Sequence, residues 1–184
     1  AILKQQHLQS ASQRKASPVW NQPLRHASSV ASGFFRYPEK KPLRGVAALF
    51  PEPVHVVVRG DSGIASIADL RGARVAIGSR GSGTRQTAMQ VLRAHGLEHG
   101  DYVSVDTRSP DEALQLLAAG RIDALIEIIS APWRQLAVAA AQTPMTLLPL
   151  DPDAMTRLTD SVPGLVPLTI SQRTTPVRVT VRRP

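Results

Sequence analysis

The chain has 184 residues and a formal net charge of +8 at pH 7, and a chain of this length suits one domain or two small lobes. It has no cysteine, which excludes disulfide frameworks, zinc ribbons and thiol catalysis. No run of 18 apolar residues predicts a membrane span, and the first residues, AILKQQHLQS, lack the apolar segment of a signal peptide. The basic residues are scattered, so the charge favours small anionic ligands over nucleic acid.

The chain changes character near residue 43. Residues 1–42 are rich in Gln, Ser, Lys and Arg without sustained periodicity, so we expect a poorly defined N-terminal segment, with at most a short helix near 28–32. After it, β-type apolar runs alternate with amphipathic helical stretches. The predicted strands are 46–50, 54–58, 74–78, 102–105, 123–129, 145–150, 166–170 and 177–181. The predicted helices are one turn before Gly72, then 84–95, 110–120, 132–141 and 152–160.

This alternation of strands with helices of about ten residues predicts βαβ units, and hence an α/β fold with a largely parallel sheet. The predicted strands 54–58 and 123–129 are almost entirely apolar, which indicates central strands buried on both faces. They bracket a compact block of about 60 residues. Such bracketing suggests that the chain crosses twice between two lobes.

Residues 78–84, GSRGSGT, connect a predicted strand to a predicted helix. At a helix N-terminus up to four backbone N–H groups have no partner within the helix, and the helix dipole adds positive potential. Glycine lacks the Cβ that would hold a ligand away from these groups. Ser82 and Thr84 add hydroxyl donors, and Arg80 and Arg85 add positive charge. The segment therefore predicts a site for a carboxylate or a phosphate.

Competing phosphate and catalytic motifs fail in this segment. Thr84 stands where a Walker A motif needs lysine, and Gln86 stands where a dinucleotide fingerprint needs its third glycine. The residues around Ser82 do not form the glycine-flanked elbow of a serine nucleophile. An enzyme would also need an acid–base pair, for which only Glu127 and His95 offer themselves. A glycine-rich connection that binds no ligand remains the open alternative.

Four further residues have two interpretations each. Glu127 lies in an apolar strand, where a carboxyl group must be hydrogen-bonded, face an opening or have a shifted pKa, unless the strand simply leaves the core there. Trp133 either lines a pocket or fills the core, and the core is the preferred interpretation. His55 and His95 are expected to be packing or surface residues. No second histidine stands at metal-ligand spacing, so no metal site is predicted.

Two linked stretches carry a resemblance to a known family. DSGIASIADLRGARVAIGSRGSGT at 61–84 and SPDEALQLLAAGRIDALIEIISAP at 109–132 resemble the TAXI group of TRAP-transporter solute receptors, over roughly residues 43–150. The resemblance implies a type II periplasmic-binding-protein fold with two α/β lobes, two crossover strands and a ligand cleft. Lobe one would comprise 43–58 and 126–184, and lobe two 59–125. Lobe one is expected to be incomplete, because residues 1–42 do not supply its first βα units.

The resemblance also implies a function and a site. Such receptors bind a small amino- or dicarboxylate in the periplasm and deliver it to TRAP-type membrane transporter subunits; they are not enzymes and need no cofactor. The implied alternatives are an effector-sensing regulatory domain of the same fold and a truncated remnant without activity. By motif position the ligand-binding residues would be Gly81, Ser82, Gly83 and Thr84, followed by Ser130, Ala131 and Pro132, with Arg80, Glu127 and Trp133 as further candidates.

Overall fold

The computed structural model describes residues 50–162 and 165–170, together with the backbone of two short strands, Ser29–Val30 and Arg178–Val179. The strands are β1 (Ser29–Val30), β2 (Val54–Arg59), β3 (Arg74–Ala76), β4 (Val103–Val105), β5 (Ala124–Ile128), β6 (Met145–Leu147), β7 (Val166–Pro167) and β8 (Arg178–Val179). The α-helices are α1 (Gly83–Ala94), α2 (Pro110–Ala118), α3 (Arg134–Gln142) and α4 (Pro152–Ser161), and one 3-10 helix spans Ile67–Leu70. The predicted α/β class is confirmed.

Six of these strands form one sheet in the order β4-β3-β5-β2-β6-β8. β3 is parallel to β4 and β5, β6 is parallel to β8, and β2 is antiparallel to both of its neighbours, β5 and β6. Helices α1, α2 and α3 supply the crossovers that parallel strands require. The connection from β2 to β3 contains only the short 3-10 helix and no crossover helix. The two strands accordingly run in opposite directions, since β2 is antiparallel and β3 parallel to β5. The sheet is therefore largely parallel, as predicted, with β2 as the reversed strand.

The two predicted crossover strands lie side by side at the centre of this sheet. β2 pairs with β5 from Val54 opposite Ile128 to Val58 opposite Ala124. Both strands are almost wholly buried, as their apolar sequences predict. The same sheet contains β3 from predicted lobe two and β6 from predicted lobe one. The division into lobes at 59–125 thus stays a proposal, and the described strands of both segments share one sheet.

Helices cover both faces of the sheet. One core cluster contains buried residues of α1 and α4, which contact each other over one face, and the other contains buried residues of α2 and α3. On the first face α1 buries Val91 and Leu92 and α4 buries Met155 and Leu158. The result is a three-layer arrangement in which the turns that follow the strands are left at the sheet edges.

The helix boundaries follow local signals in the sequence. Ser82, Ser109 and Asp151 are the N-cap residues of α1, α2 and α4, and each side chain accepts a hydrogen bond from a backbone N–H of its first helical turn. After α1, Gly96 has a φ of +78°, the left-handed conformation expected of glycine beyond a helix end. The helices consequently begin and end within two residues of their predicted bounds.

The ends of the chain agree less well with the sequence patterns. Ser29 and Val30 form strand β1, antiparallel to β7, where a short helix was the expectation; strand pairing here outweighs a weak local helical preference. Of the predicted strand 46–50, only Phe50 is described, and it lies outside any strand. No helix among the described residues is long and apolar enough to cross a membrane.

Candidate functional site

The sheet brings the two predicted ligand-binding segments to the same edge. β3 and β5 are parallel neighbours, with Ala76 opposite Leu125. Adjacent strands lie about 4.8 Å apart, and parallel strands end at a common edge. The segment 78–84 follows β3 and the segment 130–132 follows β5, so both leave the sheet on its carboxyl side. Ligands of open α/β sheets commonly bind at this edge.

The backbone of the glycine turn is fixed by its own contacts. Gly78 and Gly81 have φ values of +77° and +79°, which residues with a side chain rarely adopt. The Ser82 hydroxyl donates to the Ser79 carbonyl at 2.8 Å and accepts from the Arg85 N–H at 3.1 Å. The turn is thus held in one shape ahead of α1, independently of any ligand.

Two backbone amides in the first turn of α1 are free to bind a ligand. In α1 the Arg85 N–H is taken by the Ser82 hydroxyl, and the Gln86 N–H donates to the Ser82 carbonyl at 3.3 Å. The preceding amides, those of Gly83 and Thr84, have no acceptor among the described residues. Gly83 is exposed and Thr84 half-buried, so water or an anion can reach the first turn of the helix.

The arginines of this turn are not free cations. Arg80 Nε donates to Asp106 Oδ2 at 3.0 Å, and Arg85 Nη1 donates to Asp106 Oδ1. Burial acts to raise the pKa of Asp106, but the hydrogen bonds from Arg85 and Arg80 outweigh it and lower that pKa. Asp106 is therefore ionised at neutral pH and neutralises part of the positive charge that the sequence places here. Arg80 itself is largely exposed, with its side chain 86% accessible.

The second predicted segment joins β5 to α3. Ser130 and Pro132 are exposed, Ala131 is half-buried, and the Ala131–Pro132 peptide bond is cis. The next residue, Trp133, is 1% exposed and is the N-cap residue of α3. Its ring packs in the α2/α3 core cluster, so the structure places it in the core, where the preferred interpretation had it.

Glu127 and His55 lie beneath this segment. They are directly opposite in the β2–β5 pairing, and both are buried, at 4% and 0% exposure. Burial raises the pKa of Glu127 to about 7 and lowers the pKa of His55 to about 4, the latter against a hydrogen bond from Nδ1 to the Pro53 carbonyl at 3.1 Å. The His55 ring meets the Trp133 ring edge-on, with centroids 5.4 Å apart. Of the outcomes open to Glu127, the structure shows burial with a shifted pKa.

His95 has a structural role at the other face. Its Nδ1 is 2.7 Å from the Val91 carbonyl, and its Nε2 accepts from the Asp151 N–H at 3.0 Å. Because Asp151 caps α4, this side chain ties the end of α1 to the start of α4. No group of three or more His, Asp or Glu side chains in the described part of the chain could hold a metal ion.

Two of the clefts on the surface of the described residues lie at opposite ends of the central strands. The larger, of about 410 Å³, lies where β2 ends and β3 and β5 begin, and its rim includes Arg59, Arg71 and Asp123. The smaller, of about 220 Å³, adjoins the second predicted segment and is lined by Phe50, Pro51, Pro53, Ser130, Ala131, Leu168, Thr169 and Ile170. Residues 81–84 line neither cleft. The free amides of α1 thus lie outside both of these clefts.

The two left-handed glycines allow a matched test of the turn. A Cβ on Gly78 would lie 3.0 Å from Thr84 Cγ2 and 3.2 Å from Ser82 Oγ, whereas a Cβ on Gly81 would meet nothing within 4 Å. Both Ala variants bear a left-handed cost of about 1–2 kcal/mol, and Gly78→Ala adds about 1–3 kcal/mol of overpacking. Urea unfolding should therefore rank Gly78→Ala below Gly81→Ala in stability. Equal losses would show that the contacts with Ser82 and Thr84 do not constrain the turn.

The family relationship follows from a match along most of the sequence. Residues 15–181 match the NMT1-like family. The chain belongs to the NMT1-like family. Both predicted ligand-binding segments of this NMT1-like chain fall within the matched range.

Solved structures similar to this NMT1-like chain include periplasmic binding proteins. The periplasmic aliphatic sulphonate binding protein SsuA of Escherichia coli matches 51% of this chain and 30% of its own, at 24% identity and a TM-score of 0.43. The alkanesulfonate-binding protein SsuA of Xanthomonas axonopodis pv. citri, bound to MOPS, matches 50% of this chain and 30% of its own, at 28% identity and a TM-score of 0.41. A Brucella ovis periplasmic binding protein with glutathione bound matches 64% of this chain and 30% of its own, at 20% identity and a TM-score of 0.38. The matched part thus spans less than a third of each relative.

Proposed function

We propose that this NMT1-like chain carries the anion-binding edge of an extracytoplasmic solute-binding receptor. The ligand is a small organic anion, an amino- or dicarboxylate, and its charged end binds at residues 81–84, with residues 130–132 as the second wall. The receptor is not an enzyme, uses no cofactor, and delivers its ligand to TRAP-type transporter subunits as in the TAXI group. Family membership and the α/β sheet support the binding role; the choice of carboxylate and of transporter rests on the resemblance to the TAXI group.

The observation that carries the proposal is the pair of free amides on Gly83 and Thr84. A charge-assisted hydrogen bond from a backbone N–H to a carboxylate is among the stronger polar contacts in proteins. The dipole of α1, a helix of twelve residues, adds positive potential at the same point. Because the Ser82 cap already fixes the turn, binding requires little ordering of the backbone, which favours affinity.

Asp106 lowers the positive charge that a ligand would meet at this turn. Its carboxylate holds both arginines of the turn, so an incoming anion meets partly neutralised guanidinium groups. Recognition then depends mainly on the backbone amides and the hydroxyl of Thr84. Backbone N–H groups can donate to one carboxylate group whatever the shape of the rest of the ligand. The remainder of the ligand must be recognised elsewhere, and Ser130 on the neighbouring turn is the nearest predicted contact.

A thermal shift series tests this function. Glutamate, glutamine and succinate are added to the full chain at increasing concentration, with succinamide as the uncharged control and sodium chloride at matched ionic strength. A true ligand at 100-fold above its Kd should raise Tm by about 5–10 °C, because it binds only the folded state. If the folded protein responds to none of the acids, or equally to succinamide, the carboxylate receptor proposal is wrong.

A further inference from the structure

Two buried side chains beneath the 130–132 segment carry polar atoms that lack partners. Among the described residues, His55 Nε2 and Trp133 Nε1 are buried and have no hydrogen bond, and Glu127 stands opposite His55 in the strand pairing. The three side chains are between 0% and 4% exposed. An unsatisfied buried polar atom costs about 1–3 kcal/mol, so two such atoms on rings that contact each other need a physical explanation.

The chemistry of these atoms is complementary. His55 Nδ1 lies 3.1 Å from the Pro53 carbonyl, which can only accept, so Nδ1 carries the ring proton and Nε2 of the neutral ring is an acceptor. Trp133 Nε1 is only a donor. A protonated carboxyl group has both a donor and an acceptor, and Glu127 stands directly opposite His55 on the same face of the sheet. Neutral Glu127 is thus the group that can serve both neighbours.

We propose that His55, Glu127 and Trp133 form an uncharged buried cluster in which Glu127, and not His55, holds the shared proton, and that this cluster positions the 130–132 turn. The turn is placed from both ends: the Ile129 N–H donates to the Pro53 carbonyl at 3.2 Å, and the Trp133 ring is anchored in the core. The positioning part rests on the proposed function, since that turn is the second wall of the anion site.

The surrounding charges leave this proton assignment undisturbed. The charged side chains on the elements that cover this face, or that flank the cluster, are all at least partly exposed: Asp106, Arg108, Asp111, Glu112 and Arg134. Asp106 is paired with two arginines, and Arg108 with Glu112. None contributes to the shifts of His55 or Glu127, which arise from burial and, for His55, from the Pro53 carbonyl as well.

The assignment predicts an unusual pH dependence of stability. Between about pH 4.5 and 6.5 the unfolded chain holds one proton on His55 and none on Glu127, because their ordinary pKa values are 6.5 and 4.5. The folded chain holds one proton on Glu127 and none on His55. Both states bind one proton, so this pair adds no slope to the stability of the wild-type protein in that window.

Single substitutions should expose two opposite slopes. In Glu127→Gln the remaining His55 has a lowered folded pKa, so stability falls as pH drops from 6.5 towards 4. In His55→Gln the remaining Glu127 has a raised folded pKa, so stability falls as pH rises from 4.5 towards 7. Each slope approaches tenfold in the unfolding constant per pH unit. The double variant should again lack both contributions.

Two measurements on the full chain test the proposal. The first is urea unfolding of the four proteins from pH 4.5 to 7.5; parallel pH profiles for both single variants would overturn the proton assignment. The second is the carboxyl ¹³C titration of Glu127 in the wild type, identified by its absence in Glu127→Gln, which requires no variant to be stable under denaturant. A titration near pH 7 is expected, and one near the ordinary value of 4.5 overturns the proposal.

Amide exchange tests the positioning role. Exchange at Ile129 and Ala137, whose N–H groups donate to the Pro53 and Trp133 carbonyls, is compared in the wild type, Glu127→Gln and Glu127→Leu at pH 6. Glu127→Gln keeps a donor and an acceptor, so it should retain wild-type protection, whereas Glu127→Leu should lose protection at these amides more than in α1. Uniform loss across the protein would instead indicate a merely structural role. Because no ligand is used, these results stand apart from the anion titrations.

Discussion

Replacing Trp133 with alanine should cost about 3–5 kcal/mol of unfolding free energy, as large aromatic-to-alanine changes in cores do. The side chain is 1% exposed and heads the largest fully buried side chains of the described residues. Its removal takes away the edge-on contact with His55 and opens a cavity where α3 begins. Typical domains are stable by about 5–15 kcal/mol, so this loss should remove a large fraction of the total stability.

The matched control for this change lies on the same helix. Val138 in α3 is 65% exposed, and its replacement by alanine should alter stability by no more than about 0.5 kcal/mol. Urea unfolding followed by far-UV circular dichroism compares the two variants with the wild type. A loss below about 1 kcal/mol for Trp133→Ala would mean that the ring does not fill the core at the start of α3.

Replacing Gly83 with proline should weaken carboxylate binding about 10- to 100-fold, since one hydrogen bond to a charged group contributes about 1.5–3 kcal/mol. Gly83 is the first residue of α1, where proline is tolerated because that N–H has no partner in the helix. The preceding residue, Ser82, has φ −77° and ψ 155°, the extended conformation that proline requires before it. The fold should therefore survive the change.

Gly83→Ala is the control that keeps the amide. A Cβ at this position meets no atom within 4 Å, and the backbone N–H is unchanged. Titration calorimetry with the acid that gives the largest thermal shift compares both variants with the wild type. Alanine should bind within a few-fold of wild type and proline should not. If the two variants bind equally, the Gly83 N–H does not contact the ligand.

The parts of this fold that could be predicted are set by short stretches of sequence. The helix caps could be predicted because each one joins residues at most three positions apart in the sequence. The side chains that cap the helices in this way are those of Ser82, Ser109 and Asp151. The apolar runs of β2 and β5 likewise indicate their own burial. For the same reason, the glycine turn and its free amides could be placed at a helix N-terminus from sequence alone.

What could not be predicted depends on which strands become neighbours. Asp106 neutralises Arg80 and Arg85 only because β4 pairs with β3, which no local pattern reveals. The opposition of His55 and Glu127 likewise depends on the antiparallel register of β2 and β5. The sequence identifies Glu127 as a carboxyl group in an apolar strand. It indicates only a packing or surface role for His55, because the nearest sequence neighbours of His55 are apolar.

The central claim is that the free amides at the start of α1 bind a carboxylate. Amide ¹H–¹⁵N spectra recorded during titration of the full chain with glutamate and succinate test it most directly. We expect saturable shifts at Gly83 and Thr84, with smaller ones at Ser130 and none with succinamide. Saturable binding that leaves the Gly83 and Thr84 resonances unmoved, or no binding by a folded chain, would contradict the account.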